Sequence, residues 1–153
     1  MRREQFTLDV RGIDWVDNDD DPETPTVTIE YDGPDDPLRE RLTGPDGELL
    51  GAGGTDAAFR LKPDGESGVV SVTNRLTGDF VFELNAGAED VFRFVRAART
   101  YGERAGTDDG KYRVSVIADG EPLITYEKST FLVYDSDGGL LREHSLIPSG
   151  VEL

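Results

Sequence analysis

The chain has 153 residues, with 32 acidic side chains against 16 basic ones and a formal net charge of -16. It contains no cysteine, which excludes disulfides, thiolate metal sites and thiol nucleophiles. The length suits a single domain over 1–153, able to bury roughly two thirds of its unfolded surface.

The acids are spread along the chain among strand-like segments rather than gathered into tails, so a folded domain is expected rather than disorder. Of the 16 bases only Lys62, Lys111 and Lys128 are lysine. Abundant Asp and Glu with scarce Lys fit a cytoplasm of molar salt. There the Debye length falls to about 3 Å and self-repulsion of an acidic surface is screened. The N-terminus MRREQFTLDV has no apolar stretch of signal-peptide length, and no run is long enough to span a bilayer. A cytoplasmic location without membrane contact is therefore expected.

FTLDVR, 6–11, alternates apolar and polar residues as a half-buried strand does, and Gly12 marks a bend before Ile13, Trp15 and Val16. DNDDDPETP, 17–25, is a loop. TVTIEY, 26–31, is the cleanest strand, with Val27, Ile29 and Tyr31 on one face. LRERLTGPDGELL, 38–50, reads as a hairpin turning at Pro45-Asp46-Gly47, and GAGGT, 51–55, as a flexible link. DAAFRLK, 56–62, is a strand. VVSVTN, 69–74, and DFVFELN, 79–85, form a hairpin across RLTG. After the helix, 111–145 reads as a meander of three or four strands, turning at Asp119-Gly120 and at SDGG, 136–139. The tail SLIPSGVEL reads as an edge or a fraying end.

AEDVFRFVRAARTYGER, 88–104, is the one convincing helix. Val91, Phe94, Val95, Ala98 and Tyr101 share one arc, while Arg93, Arg96, Arg99 and Arg104 share the other with Phe92 among them. Glu89 and Asp90 suit the positive end of the helix dipole, Asn85 or Gly87 can cap it, and Gly102 or Gly106 can stop it. The fold expected is therefore α+β and β-rich, an antiparallel sandwich or strongly curved sheet with one amphipathic helix packed against it.

Catalytic constellations are scarce. Asp17, Asp19 and Asp21 alternate like the start of a calcium loop, but Pro22 and Thr28 stand where that loop needs glycine and a bidentate glutamate. The loop 17–23 stays open as a metal-ion or small-molecule site, the alternative to the main reading. Asp108-Asp109 and Asp135-x-Asp137 adjoin glycines and read as turns. His144 is the only histidine. A hydrolase pairing it with a carboxylate is the remote alternative, because no G-x-S-x-G elbow exists. GAGG at 51–54 lacks the lysine and the following helix of a phosphate loop. No catalytic residue, metal ligand or cofactor is assigned.

The arginine arc remains. Residues 91–104 hold four Arg and Glu103, a net +3, so the rest of the chain sums to -19. Either these arginines pair with acids of neighbouring strands, or they form a docking surface with Phe92 as an exposed apolar anchor. On the second reading the binding residues are Phe92, Arg93, Arg96, Arg99 and Arg104, and the partner is an acidic protein or a second copy. Nucleic acid is disfavoured, because phosphate contacts weaken steeply with salt and the remaining surface repels a duplex.

FTLDVRGIDW, RLTGPDG, GVVSVTNRLTGDFVFELN and FRFVRAARTYG together resemble a small uncharacterised protein family of haloarchaea, over most of the chain. The resemblance implies a halophilic setting and carries no activity or site residue. The function expected from the sequence is a halophile-adapted, non-catalytic interaction module, docking through the arginine face or a sheet edge.

Overall fold

The computed structural model of the chain describes residues 3–18, 20–106 and 110–148. The strands are β1 (Phe6–Arg11), β2 (Thr26–Tyr31), β3 (Thr55–Leu61), β4 (Ser67–Asn74), β5 (Phe80–Gly87), β6 (Tyr112–Ala118), β7 (Glu121–Lys128) and β8 (Leu132–Tyr134). The helices are α1 (Trp15–Asn18), α2 (Asp35–Arg41) and α3 (Ala88–Arg104). The strands form two four-stranded sheets, ordered β1-β2-β6-β7 and β5-β4-β3-β8. The fold is α+β and β-rich, and the sheets do not close into a barrel.

Alternation decides which face each strand buries. β6 buries Tyr112, Val114, Val116 and Ala118, β2 buries Val27, Ile29 and Tyr31, and β4 and β3 contribute Val70, Val72, Ala57 and Phe59. These faces meet in one hydrophobic cluster. Phe6 of the first sheet stacks on Phe82 of the second with ring centroids 5.1 Å apart. Val91 and Phe94 of α3 line an apolar interior void of about 20 Å³ together with residues of both sheets. Phe94 meets Tyr112 and Phe131 edge-on at 5.2 and 6.1 Å.

Antiparallel neighbours dominate, as expected, but each sheet carries one parallel pair. β2 runs parallel to β6, and β3 parallel to β8. Parallel neighbours need a long crossover. Between β2 and β6 that crossover contains most of the second sheet and α3. The expected meander after the helix is likewise divided. β6 and β7 pair as a hairpin through Asp119 and Gly120, both at positive φ, whereas β8 joins the other sheet.

The expected hairpin over 38–50 is only partly a hairpin. Its first half is α2, with Leu38 and Leu42 fully buried. A strand over 38–42 would put Glu40 on the same face as Leu38 and Leu42, whereas a helical turn brings the two leucines, four residues apart, together on one side. Asp36 in the first turn favours the helix, and Pro37 is tolerated there because its missing N–H would have no intrahelical partner. The turn at Pro45-Asp46-Gly47 forms as expected, closed by a Thr43–Leu49 bridge. The link 51–55 holds a 3-10 turn over Ala52–Gly54, and β3 starts at the buried Thr55.

α3 spans the expected residues. Gly87 occupies the N-cap position without a side-chain cap. Gly106, at φ 74, follows the C-cap Ala105, and its N–H reaches the Glu103 carbonyl at 3.3 Å. Val91, Phe94, Val95 and Ala98 are buried and Tyr101 is half-buried.

Candidate functional site

The solvent side of α3 borders a groove of about 880 Å³. One wall is the β3–β4 turn with Gly65 and Glu66, and the other is a 3-10 turn over Arg142–His144. Asp64 builds the first wall by accepting the backbone N–H groups of Glu66 (2.9 Å) and Ser67 (3.1 Å). Those bonds hold its carboxyl below the usual carboxylate range. The second wall is pinned by Arg99, whose Nη2 donates to the Ser145 carbonyl at 2.7 Å and the Glu143 carbonyl at 3.3 Å. Ser145 is buried. Its Oγ donates to the Leu141 carbonyl (2.7 Å) and accepts the Val133 N–H (2.9 Å), so the hydroxyl is committed to structure.

Phe92 and His144 form the aromatic element of the groove, stacked with centroids 4.1 Å apart and planes 16° from parallel. The exposed anchor expected at Phe92 is thus corrected. Its ring is half-buried, packed against the core edge on one side and His144 on the other. Arg93 is half-buried and Arg96 and Arg99 are exposed, and all three line the groove. Among the described residues Arg93 and Arg96 have no hydrogen-bonding or ion-pair partner, although Glu89 stands one helical turn before Arg93. Glu66, Glu89 and Glu143 also line the groove, so it offers cationic forks beside carboxylates.

The five arginine-arc residues therefore divide. Phe92, Arg93, Arg96 and Arg99 share the groove. Arg104 lies at the far end of α3, its guanidinium 5.1 Å from the centroid of the Trp15 ring. Trp15 in turn meets Tyr101 edge-on at 6.4 Å. Arg104 thus packs the C-terminal end of the helix against α1. The groove also holds Gly65, Glu66, Glu143 and His144, which the arc did not reveal. Asp64-Gly65 carries ordinary Asp-Gly turn chemistry, but its nearness to α3 depends on the path of β4 and β5.

Of the other sequence candidates, Asp135 is a turn residue whose Oδ1 accepts the N–H groups of Gly139 (2.7 Å) and Asp137 (3.0 Å). Asp17 ends up in α1, Asp20, Asp21 and Glu23 are exposed, and Asp19 lies outside the described residues, as do Asp108 and Asp109. Among the described residues no group of three or more His, Asp or Glu side chains gathers to hold a metal ion. The described residues lining the groove bring His144 no hydroxyl nucleophile. Among the described residues, no helix is long and apolar enough to cross a membrane.

The model of a family of unknown function, DUF5793, matches residues 1–153, and the chain belongs to that family. No curated protein and no solved structure matches the chain.

Proposed function

We propose that this member of the DUF5793 family is a non-catalytic interaction module whose arginine groove docks a carboxylate-bearing segment of a protein partner. One observation carries the reading. In a chain with 32 acidic side chains, Arg93 and Arg96 face a groove with no partner among the described residues. A guanidinium gains most from a carboxylate that meets its fork with two parallel bonds. The Phe92–His144 stack offers a flat surface for the aliphatic part of the same segment. Nucleic acid fits less well, because the rest of the chain sums to -19 and phosphate contacts fade with salt.

The setting we propose is a haloarchaeal cytoplasm of molar salt, supported by the net charge of -16, the three lysines and the motif resemblance. Only contact-range pairing survives there, since screening acts within about 3 Å at 1 M salt. Short forked arginine–carboxylate bonds meet that condition.

The test is a titration of the full chain, in molar KCl, with a labelled Asp/Glu-rich peptide and its Asn/Gln counterpart. The acidic peptide should bind and the neutral one should not. Arg93→Glu with Arg96→Glu should weaken binding at least about tenfold, a change of 1.4 kcal/mol. Equal binding of both peptides, or indifference to the double reversal, removes the proposal.

A further inference from the structure

We infer that the groove's partner is a second copy of this chain, each copy laying the exposed acids Asp17, Asp20, Asp21 and Glu23 in the arginine groove of the other; this rests on the docking role proposed above. Asp17, Asp20, Asp21 and Glu23 are exposed. Their carboxylates have no hydrogen-bonding or ion-pair partner among the described residues. Among the described residues, the exposed acids Asp17, Asp20, Asp21 and Glu23 and the cations Arg93 and Arg96 thus do not satisfy one another within the monomer.

Their placement along α3 favours a reciprocal contact. The stretch that carries these acids is anchored at both ends beside the C-terminal turns of the helix. Trp15 packs on Tyr101 and Arg104 before it, and the Thr24 hydroxyl lies 3.1 Å from the Tyr101 hydroxyl after it. Arg93 and Arg96 lie five to eight residues earlier, roughly 8–12 Å along the axis at 1.5 Å per residue. Two α3 helices opposed antiparallel across a two-fold axis bring the Tyr101 end of each over the Arg93–Arg96 end of the other. Both contacts then form at once, in the closed, self-complementary arrangement of a symmetric dimer. A stable dimer buries roughly 800 Å² per partner. That is about a tenth of the 8551 Å² surface of this chain, within reach of one helix face and a loop.

The salt response follows from the charges. Two copies at -16 repel at low ionic strength, while at about 1 M only the contact pairs remain felt. The dimer should therefore strengthen as KCl rises, whereas an ordinary surface ion-pair dimer weakens.

Sedimentation equilibrium of the full chain across a KCl series tests this. The wild type should be a dimer in molar KCl. Arg93→Glu/Arg96→Glu and Asp20→Arg/Asp21→Arg should each dissociate at least tenfold more readily, with circular dichroism showing both folded. An equimolar mixture of the two double variants should recover the dimer, because both contacts are then again between opposite charges. If either reversal unfolds the chain, Arg93→Gln/Arg96→Gln serves in its place and should give monomer. A wild type that stays monomeric, or a folded mixture that fails to recover association, overturns the inference. Binding of the acidic peptide by a strictly monomeric chain overturns self-docking while leaving the groove's docking role intact. A dimer indifferent to both reversals, with no peptide binding, removes both.

Discussion

Lys128 carries its ammonium half-buried between the two sheets, donating to the Thr55 carbonyl at 2.6 Å and lying 5.7 Å from the centroid of the Tyr126 ring. Burial lowers its pKa to about 8, against a smaller opposing pull from Asp56. An unfolded lysine titrates near 10.4, so between about pH 8 and that value the unfolded chain binds more protons. Stability then rises with pH in this window, while below it both states are charged and the full cost persists. Tyr126, whose hydroxyl donates to the Leu50 carbonyl at 2.8 Å, acts in the opposite sense. Burial raises its pKa to about 12, so stability falls once the unfolded phenol ionises near pH 10. Denaturant midpoints measured from pH 7.5 to 10.5 should rise and then turn over, and Lys128→Met should flatten the rise. A rise that survives the substitution would assign it to another group. No pattern in the sequence distinguished Lys128 from the other lysines, because its desolvation comes from strands distant in sequence.

At the scale of the element, α3 separates two phenylalanines that look alike in sequence. Phe94 is buried between Tyr112 and Phe131, while Phe92 is half-buried and meets His144. Phe94→Ala should cost about 3–5 kcal/mol, the range for a buried aromatic truncated in a core that relaxes only in part. Phe92→Ala should cost less than about 2 kcal/mol, since its ring is partly solvated before the change. Urea unfolding of both variants checks the contrast, and equal losses would mean the stack with His144 is as much core as Phe94 is. The helical period alone placed these residues on different arcs. It could not give Phe92 its neighbour, since His144 is 52 positions away and arrives through β8 and the turn after it. α2 shows the reverse limit. Its seven residues hold one leucine, Leu38, and Leu42 follows at the C-cap; a spacing of four puts the two on one side of a helix or of a strand, and both are buried in the core with the helix formed.

Across the whole molecule, charge governs the response to solvent. A chain at -16 should gain stability as KCl rises from millimolar to molar, because self-repulsion is screened while the burial of its apolar cluster is not weakened. Thermal unfolding across a KCl series should show a rising midpoint, and a flat or falling profile would contradict adaptation to high salt. The ion pairs among the described residues, such as Arg11–Asp9 at 2.7 Å and Arg3–Glu83 at 3.2 Å, are solvent-exposed. Exposed pairs contribute little, typically 0–1 kcal/mol. Their loss on screening should not reverse the trend.

Period and charge are properties of the chain itself. The alternation of β2 and β4, the Asp-Gly turns, the extent of α3 and the sign of the surface charge were therefore legible from residue order. The first three are set by neighbours within one or two turns of backbone, and the charge by composition alone. The parallel pairs β2–β6 and β3–β8, and the meeting of α3 with Glu66 and His144, depend on which distant faces bury one another. The sequence by itself determined that α3 would have an arginine side. Only the tertiary structure decided that Arg99 is tied to backbone carbonyls, that Arg104 packs on Trp15, and that Arg93 and Arg96 face a groove with no partner among the described residues. A guanidinium's role is set by the acceptors within about 3 Å of it, and those acceptors arrive from other parts of the chain.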